Sequence, residues 1–119
     1  MRKNILFVCS KNRWRSPTAE AIYQADHRIA VRSRGTARTA VQRLRRSDFD
    51  WADAVLVMET KHRNRILADF PSEARSTWIY VLDVPDDYQF MNPELVELLQ
   101  ATCEPIIENL SGEGGEQGC

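Results

Sequence analysis

Asn4-Ile5-Leu6-Phe7-Val8-Cys9-Ser10-Lys11-Asn12-Arg13-Trp14-Arg15-Ser16-Pro17-Thr18-Ala19-Glu20 opens on an unbroken apolar run and closes on a helix start. Residues 4–9 have the pattern of a strand buried on both faces, as in a parallel sheet. Ser16 is placed to cap a helix, Pro17 to occupy its first position, and Glu20 to lie near its positive end. Ala21, Ile22 and Ala25 supply its inward stripe. A buried strand feeding a short loop and then a helix is the start of an α/β unit.

The rest of the chain repeats the alternation. Ile29-Ala30-Val31-Arg32-Ser33 reads as a second strand ending at Gly35-Thr36, and residues 39–46 have helical composition. Ala54-Val55-Leu56-Val57-Met58 is a third strand, followed by a short amphipathic helix from Lys61 to Phe70 that Pro71 stops. Thr77-Trp78-Ile79-Tyr80-Val81-Leu82 is a fourth strand and 83–88 a loop. Asn92-Pro93-Glu94 then opens a helix with apolar residues at helical spacing from Leu95 to Leu110, which Pro105 is expected to kink or split. The expected architecture is a single three-layer α/β domain over residues 1–110, a four-stranded parallel sheet with helices on both faces, and a flexible glycine-rich tail over 111–119. Ligands of such sheets bind beyond the carboxyl ends of the strands, where Cys9 and the 83–88 loop both fall.

An apolar fraction of 43% suits one globular core. With no apolar run near the roughly 20 residues that span a bilayer, and no signal-like N-terminus, a cytoplasmic protein without membrane contact is expected. Cys9, Cys103 and Cys119 have neither disulfide nor zinc spacing and read as free thiols, so no metal or cofactor is expected. His27 and His62 read as surface residues, and Trp51 and Trp78 as core. Charge is uneven: residues 1–65 hold 15 of the 16 Lys and Arg but 6 of the 17 Asp and Glu. Anion capture, a solvated face and nucleic-acid binding all fit such a basic half, but no nucleic-acid motif accompanies it.

The loop carries the chemistry. Backbone amides and the helix dipole make an anion site, and a thiol at its floor is favoured as thiolate by the same field. Arg15 adds a planar fork that binds two phosphate oxygens, which together permits in-line phosphoryl transfer to sulfur. Ser16 can set its hydroxyl near the sulfur and stabilise it as it leaves.

Val8 to Glu20 resembles the signature of the low-molecular-weight protein tyrosine phosphatases, Cys-x5-Arg-Ser followed by Pro-x-Ala-Glu. Ser33-Arg34-Gly35-Thr36 is similar to that family's Ser-Ala-Gly-Thr, and Ala52 to Glu59 to its Ala-Asp segment running into Met-Asp. The resemblance implies a phosphomonoester hydrolase working through a phosphocysteine on Cys9. Its substrate would be a phosphotyrosine protein or a small aryl phosphate, and phosphate-like oxyanions would inhibit it. It implies a general acid in Val84-Pro85-Asp86-Asp87-Tyr88, where Asp86 ranks ahead of Asp87 and Asp83. It makes Ser10, Lys11, Asn12, Arg13, Trp14, Ser16 and Tyr88 the substrate-binding set, with Asn12 bracing the loop and Trp14 either stacking on a substrate ring or packing on the domain. The family often has a second cysteine at the position of Trp14, absent here. Arsenate reductases share the loop but need further cysteines nearby. Phosphoarginine phosphatases need a small residue where this chain has Arg13, and a binding module that captures phosphate without turnover is the other rival.

Overall fold

A computed structural model describes residues 2–112; Cys119 and the 113–119 part of the expected tail lie outside the described residues. Four parallel strands form one sheet in the order β2-β1-β3-β4: β1 Lys3–Cys9, β2 Ile29–Gly35, β3 Ala54–Val57 and β4 Trp78–Val81. The helices are α1 Arg15–Tyr23, α2 Arg46–Trp51, α3 Thr60–Asp69, α4 Pro71–Arg75 and α5 Pro93–Leu110. The apolar runs of β1 and β3 sit at the centre of the sheet, where both faces are covered, and every residue from Ile5 to Val8 and from Ala54 to Val57 is fully buried.

Alternation along β1 divides the core. Ile5, Phe7 and Cys9 face α1 and α5, joining Ala19, Tyr23, Leu95, Leu99, Cys103 and Ile107. Leu6 and Val8 face the other way, joining Phe49 of α2, Ile66 of α3 and Ala74 of α4. The sheet is therefore the middle of three layers, with β1 paired to β2 on one side and β3 on the other. Connections diverge at the carboxyl ends of β1 and β3, the crevice where doubly wound sheets take ligands.

Five expectations are corrected. Residues 39–45 form no helix; the helix there is α2, starting at Arg46. Helix α1 begins at Arg15, so Ser16 lies inside it instead of capping it, and its buried face is Arg15, Ser16, Thr18, Ala19 and Tyr23, leaving Ala21 and Ala25 exposed. Helix α5 runs through Pro105 without a break. Pro105 and Ala101, whose carbonyl loses its partner, both lie on the exposed side, opposite the fully buried Leu99, Cys103 and Ile107. Trp78 is 71% exposed because β4 is an edge strand, whereas Trp51 packs at the rim of the core under the Arg32 guanidinium. His27 is exposed as expected, but His62 is buried. Among the described residues no helix is long and apolar enough to cross a membrane.

Candidate active site

The loop after β1 is shaped by where its carbonyls go. Cys9, Ser10 and Lys11 each give their carbonyl oxygen to an amide of the segment after β2, from Thr36 (3.0 Å), Ala37 (2.9 Å) and Val41 (3.0 Å). Residues 39–45 are not helical because their amides go elsewhere than to i−4 carbonyls: Val41 and Gln42 donate to Lys11 and Asn12 of the loop, and Leu44 donates to Gly35. The two segments meet at Gly35, where a Cβ would lie 2.5 Å from the Ser10 carbonyl oxygen and 2.6 Å from Ala40 Cβ. Only glycine permits that approach. With the carbonyls turned out, no amide from Ser10 to Ser16 donates to a backbone carbonyl among the described residues. A run of free amides ending at the positive end of α1 is a cradle for an anion.

Asn12 makes the turn with φ of 57°, a left-handed angle that asparagine tolerates. Its buried side chain donates to Ser16 Oγ and Ser33 Oγ, both at 3.0 Å, and accepts from the Gln42 amide at 3.1 Å. Because Ser16 Oγ accepts from Asn12, its own proton is free for Cys9 Sγ, 3.0 Å away, or for the Arg34 carbonyl at 3.3 Å. Ser33 in turn donates to Glu20 at 2.6 Å. Inclusion of Ser16 in α1 is what holds its hydroxyl under the sulfur.

Arg15 is 2% exposed and projects from the first turn of α1 toward the ends of β3 and β4. Its Nη1 donates to Glu59 and to the Val84 carbonyl, both at 2.8 Å. That fixes one edge of the guanidinium and leaves Nε and Nη2 as a fork. Asp86, whose side chain is more than half exposed, reaches Arg15 Nε at 3.7 Å. Burial acts to raise the Glu59 pKa, but the hydrogen bond and charge of Arg15, aided by Lys61 and His62, outweigh it and hold the carboxyl below its ordinary range.

Glu59 also positions a residue from the opposite wall. Its amide donates to His62 Nδ1 at 3.0 Å, a reciprocal cap at the start of α3, and His62 Nε2 lies 2.8 Å from Ser10 Oγ. Burial, then the charge of Arg15, pushes the His62 pKa down to about 4, against the opposing pull of Glu59. The ring is therefore neutral near pH 7, and since Nδ1 accepts, Nε2 carries the proton and donates to Ser10. The Ser10 proton is left free. Sequence pattern alone gives Glu59 no role and expects His62 at the surface. The Glu59-x-x-His62 spacing at a strand-to-helix junction is the signal of this cap.

Cys9, Ser10, Lys11, Arg13, Trp14, Arg15 and Asp86 together line one pocket of about 80 Å³, room for a small anion. Trp14 stands at its mouth, 38% exposed. Asn12 and Ser16 lie behind this lining. Tyr88, expected on the wall, instead packs half-buried against the core face of the sheet. Asp83 and Asp87 are exposed and do not border the pocket. Cys103 is enclosed in α5's apolar face, where burial, with a smaller push from Glu104, raises its thiol to about 12 against a hydrogen bond from Thr102.

No family model and no curated protein matches the sequence. Solved structures do match. The low-molecular-weight protein tyrosine phosphatase SP-PTP from Streptococcus pyogenes is 20% identical with a TM-score of 0.78, over 97% of each chain. The tyrosine phosphatase Wzb from Escherichia coli K30, solved with phosphate, is 21% identical with a TM-score of 0.70, over 92% of this chain and 99% of its own. The YwlE arginine phosphatase from Geobacillus stearothermophilus is 23% identical with a TM-score of 0.66, over 97% and 94%. The chain has the fold of the low-molecular-weight protein tyrosine phosphatases.

Proposed function

We propose that this chain is a cytoplasmic phosphomonoester hydrolase of the low-molecular-weight protein tyrosine phosphatase family. The observation that carries the reading is the Cys9 sulfur at the floor of a loop of free amides, with Ser16 Oγ at 3.0 Å and the fixed Arg15 fork beside it. Amides, Ser10 and the Nε and Nη2 edge of Arg15 hold the phosphoryl oxygens, and charge stabilisation needs no other group. The Cys9 thiolate forms an S–P bond as the ester O–P bond breaks, and Asp86 gives its proton to the departing oxygen. Water then attacks phosphorus, Asp86 takes the water's proton, and the S–P bond breaks with the thiolate stabilised by Ser16.

Asp86 is the acid because it alone of the three candidates borders the pocket. Its ion pair with Arg15 Nε occupies the edge that phosphate takes, so binding frees the carboxylate to take up the proton of the phosphate monoanion and pass it to the leaving group. The substrate is phosphotyrosine: Trp14 offers an apolar face at the mouth, and the exposed Arg13 repels the cationic leaving group of phosphoarginine.

The test is turnover of a small aryl phosphate with a burst and a phosphoryl adduct on Cys9 detected by mass. Cys9→Ser should abolish both while retaining vanadate or phosphate binding. Saturable oxyanion binding by the wild type without turnover would assign the fold to a binding module instead.

A further inference from the structure

Much of the basic first half of the sequence is consumed in ion pairs. Arg28 meets Asp26 and Glu104, each at 2.7 Å; Arg32 and Arg34 flank the buried Asp48; Arg46 meets Glu73 at 2.7 Å. Arg38 and Arg43 take part in no ion pair among the described residues. Both are exposed, and both rim the same cavity.

That cavity, of about 430 Å³, is bordered by Arg38, Arg43 and Arg65 and by one acid, Asp69, over a floor of Leu44, Ile66 and Phe70. A second cavity of about 480 Å³ shares Thr36 and Arg65 with it, carries Lys61, and reaches Ser10. Ser10 is also a wall of the Cys9 pocket. A groove therefore runs from the reacting centre between the 36–44 segment and α3 to the two arginines. Two of its cations are offset, Arg65 by Asp69 at 2.7 Å and Lys61 by Glu59 at 3.5 Å. The remaining positive charge belongs to Arg38 and Arg43, at the end away from the chemistry.

We propose that this groove binds an acidic segment of a phosphopeptide whose phosphoryl group occupies the Cys9 pocket. The proposal rests on the phosphatase reading and names its substrate class: phosphotyrosine flanked on one side by Asp or Glu. Charge complementarity selects the occupant, and the groove's continuity with the pocket fixes where it is attached. Single-stranded nucleic acid fits less well, since such sites pair cations with free aromatic faces, and the groove's aromatic ring, Phe70, is packed on Phe49 at 5.1 Å between centroids.

The experiment compares kcat/KM at low ionic strength for matched phosphotyrosine peptides with an acidic run before the phosphotyrosine, an acidic run after it, or neutral flanks. A small aryl phosphate is assayed beside them. One acidic peptide should exceed the neutral one by roughly three- to tenfold, mainly through KM, as expected for two exposed cations engaging carboxylates. The ratio should shrink with added salt and vanish in the Arg38→Glu/Arg43→Glu variant, with aryl phosphate turnover reporting that the variant is folded. Ratios near one in the wild type, no turnover of any peptide, or a ratio surviving the double substitution would overturn the proposal. Oligonucleotide binding that displaces the acidic peptide and is lost in the same variant would also overturn it, assigning the groove to nucleic acid. Absence of aryl phosphate turnover defeats the phosphatase reading and this proposal with it, whereas turnover with ratios near one defeats the groove alone.

Discussion

The loop from Cys9 to Ser16 and the loop from Leu82 to Asn92 each supply part of the pocket, and they are held in different ways. In the first, three successive carbonyls are pinned to residues 36–41, Asn12 is engaged at both ends of its amide, and Ser16 is locked into α1. The second is fastened near its ends. Val84 is tied through its amide to Met58 and through its carbonyl to Arg15, and the Met91 amide donates to Thr18 Oγ1 at 2.9 Å. Left-handed angles at Asp83 and Met91, 58° and 61°, mark those ends, at a cost of about 1 kcal/mol or more for each such residue. Between them Asp86 has a 3.7 Å ion pair and solvent. On the proposed phosphatase reading, the anion cradle is organised in advance, as charge stabilisation requires, while Asp86 keeps the freedom to exchange Arg15 for a leaving group and then for water.

Three substitutions sharpen or break this contrast. The largest expected effect is from Asp86→Asn, which should slow aryl phosphates with poor leaving groups by about a hundredfold and leave good leaving groups little changed. Equal slowing across the series would place the acid elsewhere. Next, Gly35→Ala forces a methyl against the Ser10 carbonyl and should cost about 2 kcal/mol in denaturant unfolding, along with weaker oxyanion affinity. An unchanged affinity would mean that the cradle does not depend on the 36–41 brace.

The smallest effect is on pH dependence. With His62 lowered in the folded state from about 6.5 to about 4, the unfolded chain binds more protons between those values. The stability it contributes is complete above about pH 6.5 and is lost as pH falls toward 4, with a slope of about 1 kcal/mol per pH unit in that window. His62→Ala should flatten that part of the stability curve. A curve parallel to wild type would show that His62 is not held neutral.

The parts of the molecule read correctly are those where local pattern and tertiary role coincide. The run 5–8 had to be a central strand because every side chain in it is apolar, and Asn92 caps α5 as its sequence suggests, accepting from the Glu94 amide at 2.8 Å. Residues 39–45 failed because composition does not reveal when backbone donors are claimed from outside the segment. His62 failed because an isolated polar residue on a predominantly polar helix resembles a surface position until the partners Glu59 and Ser10 are brought to it.

By itself the sequence determined the alternation of strands and helices and the placing of Cys9 and Arg15, since a buried strand delivers Cys9 to a loop and a helix start supplies Arg15 with five residues between them. Only the tertiary structure decided which groups aim that pair. Glu59, Val84 and Asp86 reach Arg15 from 44, 69 and 71 residues away, and the charge of Arg38 and Arg43 becomes a groove only where the segment after β2 meets α3. Chain pattern specifies what each segment prefers, whereas distances between segments follow from burying both faces of the sheet at once.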